Sequence, residues 1–216
     1  NDESHNHNDV GHFIVYVDGR PLLIDVGVER YRRQTFSPDR YDIWTMQSAW
    51  HNLPLINGRQ QLPGRERTAA EAACACDEAQ VRFQLELANA YDPDAGVESW
   101  VREFVFARGQ GVRVTDRYRL QAPPADLTLC LMTASTAVAD GGCVRLQPCQ
   151  LGIDEPSARG VVTFDPDVLT PAFDTVELDD ERLRSIWGAT VTRIRLQAQS
   201  PPAAGELSVG VTAAGA

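Results

Sequence analysis

Apolar and polar residues alternate with a period of two along most of the chain. The alternation is clearest in eight segments, which are residues 12–17, 81–88, 100–107, 112–120, 127–132, 160–164, 191–198 and 206–212. This is the period of a β-strand with one buried and one exposed face. Stretches such as APPAD, DPD and SPPAAG separate the segments and are typical of turns. The pattern therefore predicts an all-β fold, an antiparallel sandwich of two sheets.

Two segments depart from this pattern. Residues 37–48 begin with Ser37 and Pro38, which favour the N-cap and the first position of a helix. Residues 66–79 are rich in Ala, but they run directly into a strand-like segment. We expect a helix in the first segment, whereas helix and strand are equally favoured in the second.

The first hairpin can be predicted in register. Asp-Gly at positions 18–19 lies between two apolar segments and favours a two-residue type I′ turn. In that register Tyr16 faces Pro21, whose missing amide is tolerated at a sheet edge. The same register places Asp25 opposite His12 on one face of the sheet. We therefore expect these two side chains to lie close together.

Length and charge narrow the class of protein. The chain has 216 residues, which fits a single domain over residues 1–216. No apolar run is long enough to cross a bilayer, so no membrane association is expected. The net charge is −10, which argues against a nucleic-acid partner. The chain begins with Asn rather than Met and is therefore expected to be part of a longer protein.

The five cysteines do not form an obvious disulfide framework. Their number is odd, so at least one thiol would stay free. We interpret them as small apolar residues, which favours a reducing compartment, the cytoplasm, over the periplasm or the exterior.

The four histidines, in contrast, are concentrated near the start of the chain, at positions 5, 7, 12 and 51. The imidazoles of His7 and His51 with the carboxylate of Asp25 would suit a zinc-type ion with an open or water-filled fourth position. The same residues also fit a simpler interpretation, in which the histidine arm is solvated, Asp25 caps a turn and His51 is a buried core residue. Spacing alone leaves both interpretations open.

Two longer segments carry a family resemblance. SHNHNDVGHFIVYVDGRPLLIDVG at residues 4–27 and RYDIWTMQSAWHNLPLINGRQQLPGRE at residues 40–66 resemble the C-terminal β-sandwich domain of heparinase II/III-like polysaccharide lyases. The resemblance implies that a large α/α-toroid domain precedes this chain in its bacterial parent protein. It implies that His7, Asp25 and His51 bind a structural Zn²⁺. It also implies that His5 reaches the catalytic cleft.

The family reaction implied by this resemblance is β-elimination in uronate-containing polysaccharides. A base removes the C5 proton, and the bond from C4 to the glycosidic oxygen breaks. The reaction needs groups that neutralise the neighbouring carboxylate, together with a general base and a general acid. Most of these groups lie in the helical domain, so the chain alone is expected to be inactive. The alternatives are a non-catalytic carbohydrate-binding module and a structural accessory domain.

Other residues near this segment are candidates for supporting roles. His12 would orient Asp25, if it is not an ordinary strand residue. Four arginines would bind an anionic sugar, unless they are simply part of a solvated loop. Three aromatic residues would stack on sugar rings, although core packing is favoured for Trp50. These residues are Arg30, Arg32, Arg33 and Arg40, and Tyr41, Trp44 and Trp50.

Overall fold

The computed structural model describes residues 5–214, which form fourteen strands and one α-helix, with short 3-10 helical turns between them. The strands are β1 (Val15–Val17), β2 (Arg20–Leu23), β3 (Pro54–Ile56), β4 (Ala70–Cys76), β5 (Gln80–Glu86), β6 (Val97–Ala107), β7 (Gly111–Leu120), β8 (Leu127–Thr133), β9 (Thr136–Asp140), β10 (Cys143–Gln147), β11 (Gly160–Phe164), β12 (Leu169–Glu177), β13 (Thr190–Ala198) and β14 (Ala204–Ala213). Helix α1 spans Glu181–Trp187.

The strands build two antiparallel sheets and a separate hairpin. The larger sheet has the order β4-β5-β6-β7-β14-β11-β10-β9, the smaller has the order β12-β13-β8-β3, and β1 pairs with β2. The main core contains Trp100 and Val114 from the larger sheet and Leu129 and Ile194 from the smaller one. Apolar faces of both sheets are buried against each other, so the predicted all-β sandwich is confirmed.

All eight predicted strand segments contain a strand, although the ends of seven of them shift. Residues 160–164 form β11 with the predicted ends, whereas 12–17 shortens to β1. The prediction missed β3, β9, β10, β12 and α1. Strand β12 lies at the edge of the smaller sheet and contains Pro171, which an edge strand tolerates but which disrupts a strand pattern in the sequence.

The two segments that depart from the strand pattern, residues 37–48 and 66–79, adopt different structures. Residues 37–48 start as predicted, because the Ser37 hydroxyl accepts a hydrogen bond from the Asp39 amide. They do not form an α-helix, however, but are part of a run of 3-10 turns at Pro38–Asp42, Trp44–Met46 and Ser48–Trp50. Extended residues at Ile43 and Gln47 interrupt the run. Within residues 66–79 the chain forms β4, at the edge of the larger sheet.

The first hairpin keeps the predicted turn but not the whole predicted register. Asp18 and Gly19 have φ values of 50° and 77°, as a type I′ turn requires, and Tyr16 faces Pro21. A bulge between Val15 and Tyr16 then shifts the pairing by one residue. The expected strand pairing of His12 with Asp25 is therefore wrong, because the ladder ends before it reaches them.

Helix α1 covers a second, smaller core. Leu183 and Trp187 from this helix pack with Ile24 and Met132, which lie just after β2 and in β8. Within residues 5–214 no helix has the length and apolar character that a membrane span requires. The five cysteines are unpaired thiols.

Candidate metal centre

The arm that carries His7 is held against the run of 3-10 turns by backbone hydrogen bonds. The amide of Asn8 donates to the carbonyl of Met46 at 2.9 Å. The side-chain amide of Gln61 binds both the amide and the carbonyl of Val10, each at 2.8 Å. These contacts fix the arm on both sides of Asp9 and leave His7 only 7% exposed.

A further pair of contacts holds Asn6, the residue between His5 and His7. The Arg40 guanidinium donates to the Asn6 carbonyl at 2.7 Å, and the Tyr41 hydroxyl donates to the Asn6 side chain at 3.1 Å. Arg40 is buried. Two of the residues predicted to contact sugar therefore position the histidine arm.

Four side chains from three separate segments meet at one point. His7 Nδ1 and His51 Nε2 lie 3.0 Å apart, and His51 Nε2 lies 3.8 Å from an Asp25 carboxylate oxygen. With one carboxylate oxygen of Asp9, these ligand atoms all lie within 4.8 Å of one another. Two ligands of one zinc ion, each about 2.0–2.2 Å from it, are separated by about 3–4 Å. The donor set and its spacing therefore fit a zinc-type ion.

Hydrogen bonds set the tautomers of two histidines. His51 Nδ1 donates to the Gln47 carbonyl at 2.8 Å, so its Nε2 lone pair faces the cluster. His12 Nδ1 accepts from the Asn52 amide at 3.0 Å, which leaves the Nε2 proton facing Asp25 at 3.9 Å. His12 and Asp25 thus approach each other as expected, although loop residues rather than a strand ladder bring them together.

Burial also keeps the imidazoles of His7 and His12 in the neutral form, the form in which imidazole binds metals. Burial, with a smaller contribution from the nearby His51, lowers the pKa of His7 to about 4. The same two causes lower the pKa of His12 to about 3. Burial raises the pKa of Asp9. Neutral imidazoles beside two carboxylates form an environment that favours a cation.

Asn52 connects the cluster to the sandwich. Its side-chain NH₂ group donates to the carbonyls of Phe13 and Ile24 at 2.6 and 3.3 Å. Its side-chain oxygen accepts from the Met132 amide at 2.6 Å. This fully buried residue therefore ties the segment after β2, the segment before β1 and strand β8 together, directly beside His51.

A buried ion pair lies beneath these loops. Arg102 and Asp116, on neighbouring strands β6 and β7, are 2.7 Å apart and nearly inaccessible to solvent. Arg102 also donates to the carbonyls of Gly11 and Asn52, at 3.0 and 2.8 Å. Gly11 has a φ of +84°, a conformation that favours glycine. Sequence reasoning missed this pair because only the pairing of β6 with β7 brings the two residues together.

His5 lies outside the cluster, in an exposed aromatic patch formed by His5, Tyr31 and Phe36. The His5 ring centroid is 5.8 Å from that of Tyr31 and 5.9 Å from that of Phe36. Tyr31 is 51% exposed and Phe36 is 58% exposed. Sequence reasoning missed Tyr31 and Phe36, although both are aromatic residues within the Arg-rich segment 29–40.

The tryptophans predicted to stack on sugars are engaged elsewhere. Trp44 and Trp50 pack edge to face with centroids 5.2 Å apart, and the Arg193 guanidinium lies 3.9 Å from the centre of the Trp50 ring. The expected core packing of Trp50 agrees with these contacts. Arg30 pairs with Glu181 and Arg32 pairs with Glu29, at 2.6 and 3.1 Å, whereas Arg33 is exposed.

Residues 1–200 match the family model described as heparinase II/III-like, C-terminal. The chain belongs to this family. The match covers most of the chain and identifies it as the family's C-terminal domain. The resemblance found in the sequence is thereby confirmed.

Solved structures share the fold of this heparinase II/III-like domain. Heparan sulfate lyase HepC from Pedobacter heparinus superimposes with a TM-score of 0.70 at 14% identity, over 96% of this chain and 31% of that one. A structure of heparinase III gives a TM-score of 0.69 at 17% identity, over 99% of this chain and 31% of that one. The chain thus spans less than a third of these relatives. No curated protein sequence matches it.

Proposed function

We propose that this domain is the metal-bearing sandwich of a polysaccharide lyase that cleaves uronate-containing polysaccharides by β-elimination. The convergence of His7, Asp25 and His51 in a chain of this family carries the proposal. The solved relatives are named as a heparan sulfate lyase and a heparinase, which supports an acidic polysaccharide as the substrate.

In this proposal the ion, Zn²⁺ by its ligand types, has a structural role. His7 belongs to the N-terminal arm, Asp25 follows the hairpin and His51 ends the run of 3-10 turns. An ion shared by these ligands would cross-link three segments that are far apart in sequence. The segment that it fixes includes Asn6, whose neighbour His5 faces solvent.

His5 is the residue of this domain that we assign to the reaction. It is exposed, and only Asn6 separates it in sequence from His7, the nearest proposed metal ligand. A histidine at this position can exchange a proton or donate a hydrogen bond to the substrate carboxylate. Stabilising that carboxylate favours loss of the C5 proton, because the anion left behind is otherwise doubly charged.

The aromatic patch offers a surface for the sugar beside His5. The exposed faces of Tyr31 and Phe36 would pack against the C–H face of a sugar ring. The Arg182 guanidinium lies 5.7 Å from the centre of the Tyr31 ring. Arg33 is exposed in segment 29–40, which also contains Tyr31 and Phe36. Guanidinium groups bind carboxylates and sulfates well. The patch therefore combines apolar and cationic groups that suit an acidic sugar.

We propose that a preceding helical domain supplies the remaining catalytic groups. The part of the chain that the structure describes places a single exposed histidine at this surface, whereas β-elimination needs a base, an acid and carboxylate stabilisation. The solved relatives are about three times as long as the region that matches, which leaves room for such a domain.

Elemental analysis of the purified chain tests the metal site. We expect close to one zinc ion per chain in the wild type and loss of the ion in His51→Ala, because this change removes a ligand from the centre of the cluster. His5→Ala is the matched control and should retain the ion. A wild-type chain that contains no metal, and binds none when zinc is added, would contradict the site.

Activity of the parent protein tests the lyase assignment. With heparan sulfate and alginate as substrates, formation of the unsaturated uronate is measured by ultraviolet absorbance. We expect activity in the parent, none in the sandwich alone, and a fall in kcat of about 100-fold or more in His5→Ala. If His5→Ala left kcat unchanged but weakened polysaccharide binding, the accessory-module alternative would be favoured instead.

A further inference from the structure

Asp9 is a fourth acidic or imidazole side chain at the proposed metal site, and no sequence pattern pointed to it. One of its carboxylate oxygens lies within 4.8 Å of each ligand atom of His7, Asp25 and His51. It follows His7 by two positions on the same arm, so that this arm contributes two side chains to the cluster.

The backbone around Asp9 is firmly held. Its carbonyl accepts a hydrogen bond from the His12 amide at 2.9 Å, which closes a turn. The residues on either side, Asn8 and Val10, are bound to Met46 and Gln61. The approach of the carboxylate to the cluster is therefore built into the fold of the arm.

Within residues 5–214, the Asp9 carboxylate forms no ion pair with a cationic side chain. No other residue in that range donates a hydrogen bond to it, whereas Asp25 accepts from the Gly27 amide at 2.7 Å. The side chain is partly buried, and one of its carboxylate oxygens lies within 4.8 Å of a carboxylate oxygen of Asp25. Two carboxylates at this distance repel each other unless a cation or a proton lies between them.

We propose that Asp9 is the fourth protein ligand of the metal ion, an inference that rests on the proposed metal site. Two imidazoles and two carboxylates neutralise a divalent ion and complete a tetrahedron. A site with four protein ligands is closed, whereas three would leave a position for water or substrate. The ion is then confined to cross-linking the arm, and the reacting groups are His5 and those of the helical domain.

Cobalt substitution tests this proposal without relying on activity. The purified chain is stripped with a chelator and refilled with Co²⁺, whose visible spectrum changes when an added ligand enters its coordination sphere. Azide is the probe for an open position. The variants are Asp9→Ala, His51→Ala and Asp18→Asn, the last being a control that removes an exposed aspartate charge in a turn that also accepts Asn.

We expect the wild-type and Asp18→Asn spectra to be unchanged by azide. Asp9→Ala should bind Co²⁺ at least about 100-fold more weakly than the wild type, and its spectrum should respond to azide. Removal of a residue that only orients a metal ligand weakens metal binding by about 10- to 100-fold, so the expected loss lies at or beyond the upper end of that range. Wild-type protein that responds to azide as Asp9→Ala does would overturn the fourth ligand. The three-ligand site would then stand, provided that His51→Ala fails to hold Co²⁺.

Wild-type protein that binds no Co²⁺ and no Zn²⁺ would overturn both the fourth ligand and the metal site. The wild-type response to azide decides between a closed and an open site even if Asp9→Ala does not fold. Circular dichroism of the metal-free variants checks that point.

Discussion

At the scale of single residues, Asn52 shows how one side chain fixes the loops beneath the candidate site. Its NH₂ group satisfies two carbonyls and its oxygen satisfies one amide, all in the interior. Aspartate has the same shape but no NH₂ group to donate. The position therefore requires an amide because of the polarity of its surroundings and not because of its volume.

We predict that Asn52→Asp destabilises the domain by about 3 kcal/mol or more, because it sets a carboxylate against two buried carbonyls. Urea unfolding measures the change. Asn57→Asp is the control, since Asn57 lies in an exposed turn at φ 52° and uses only its oxygen, which accepts from the Ala125 amide. Equal losses in the two variants would contradict this account of Asn52.

At the scale of elements, helix α1 and the Arg-rich segment share one cap. The Asp180 carboxylate accepts from the amides of Arg182 and Leu183 at the start of the helix and from the amide of Arg30. Partial burial acts to raise the pKa of Asp180, but these three amides outweigh it and hold the pKa below its usual value. The carboxylate therefore stabilises the helix start and the loop beside the aromatic patch together.

We predict that Asp180→Ala lowers the free energy of unfolding by about 0.5–2 kcal/mol near neutral pH. The pKa of Asp180 is lower in the folded state than in the unfolded state, so its stabilisation is present above the unfolded value of about 3.9 and is lost as pH falls through the folded value. The difference between wild type and Asp180→Ala should therefore shrink toward about pH 2.

Denaturant unfolding at both pH values measures this difference. Asp180→Asn keeps a capping oxygen without the charge and should lose less stability than Asp180→Ala near neutral pH. A difference that stayed the same at both pH values would show that the charge of Asp180 contributes nothing.

At the scale of the whole molecule, the Arg102–Asp116 pair joins the larger sheet to the loops that form the site. Arg102 reaches the carbonyls of Gly11 and Asn52, while Asp116 also accepts from the Trp100 indole at 2.9 Å. Removing one member leaves a charge in the interior without its partner, which is far more costly than losing an exposed pair.

We predict that Arg102→Met destabilises the domain by about 3–5 kcal/mol. Adding Asp116→Asn should recover part of the loss, because it removes the unpaired charge and keeps an acceptor for Trp100. The exposed pair of Arg119 with Glu98 provides the control, and Arg119→Met should cost no more than about 1 kcal/mol. Similar costs for Arg102→Met and Arg119→Met in thermal or urea unfolding would contradict the role of the buried pair.

Local patterns predicted much of the fold. The Asp18-Gly19 turn follows from two adjacent residues that accept positive φ, and the main strands follow from the alternation of apolar and polar positions. The motif resemblance also selected His7, Asp25 and His51, which do meet in space. The metal ion itself and the catalytic role of His5 stay predictions.

The β-sandwich, the hairpin turn and the grouping of His7, Asp25 and His51 could be predicted from the amino-acid sequence, because each depends on nearby residues or on a recognisable family motif. The bulge at Val15, the approach of Asp9 to the cluster and the pairing of Arg102 with Asp116 become evident only in the folded chain. These features depend on which distant backbone segments pack together. Register between strands and the paths of loops set those contacts, and no local pattern encodes them.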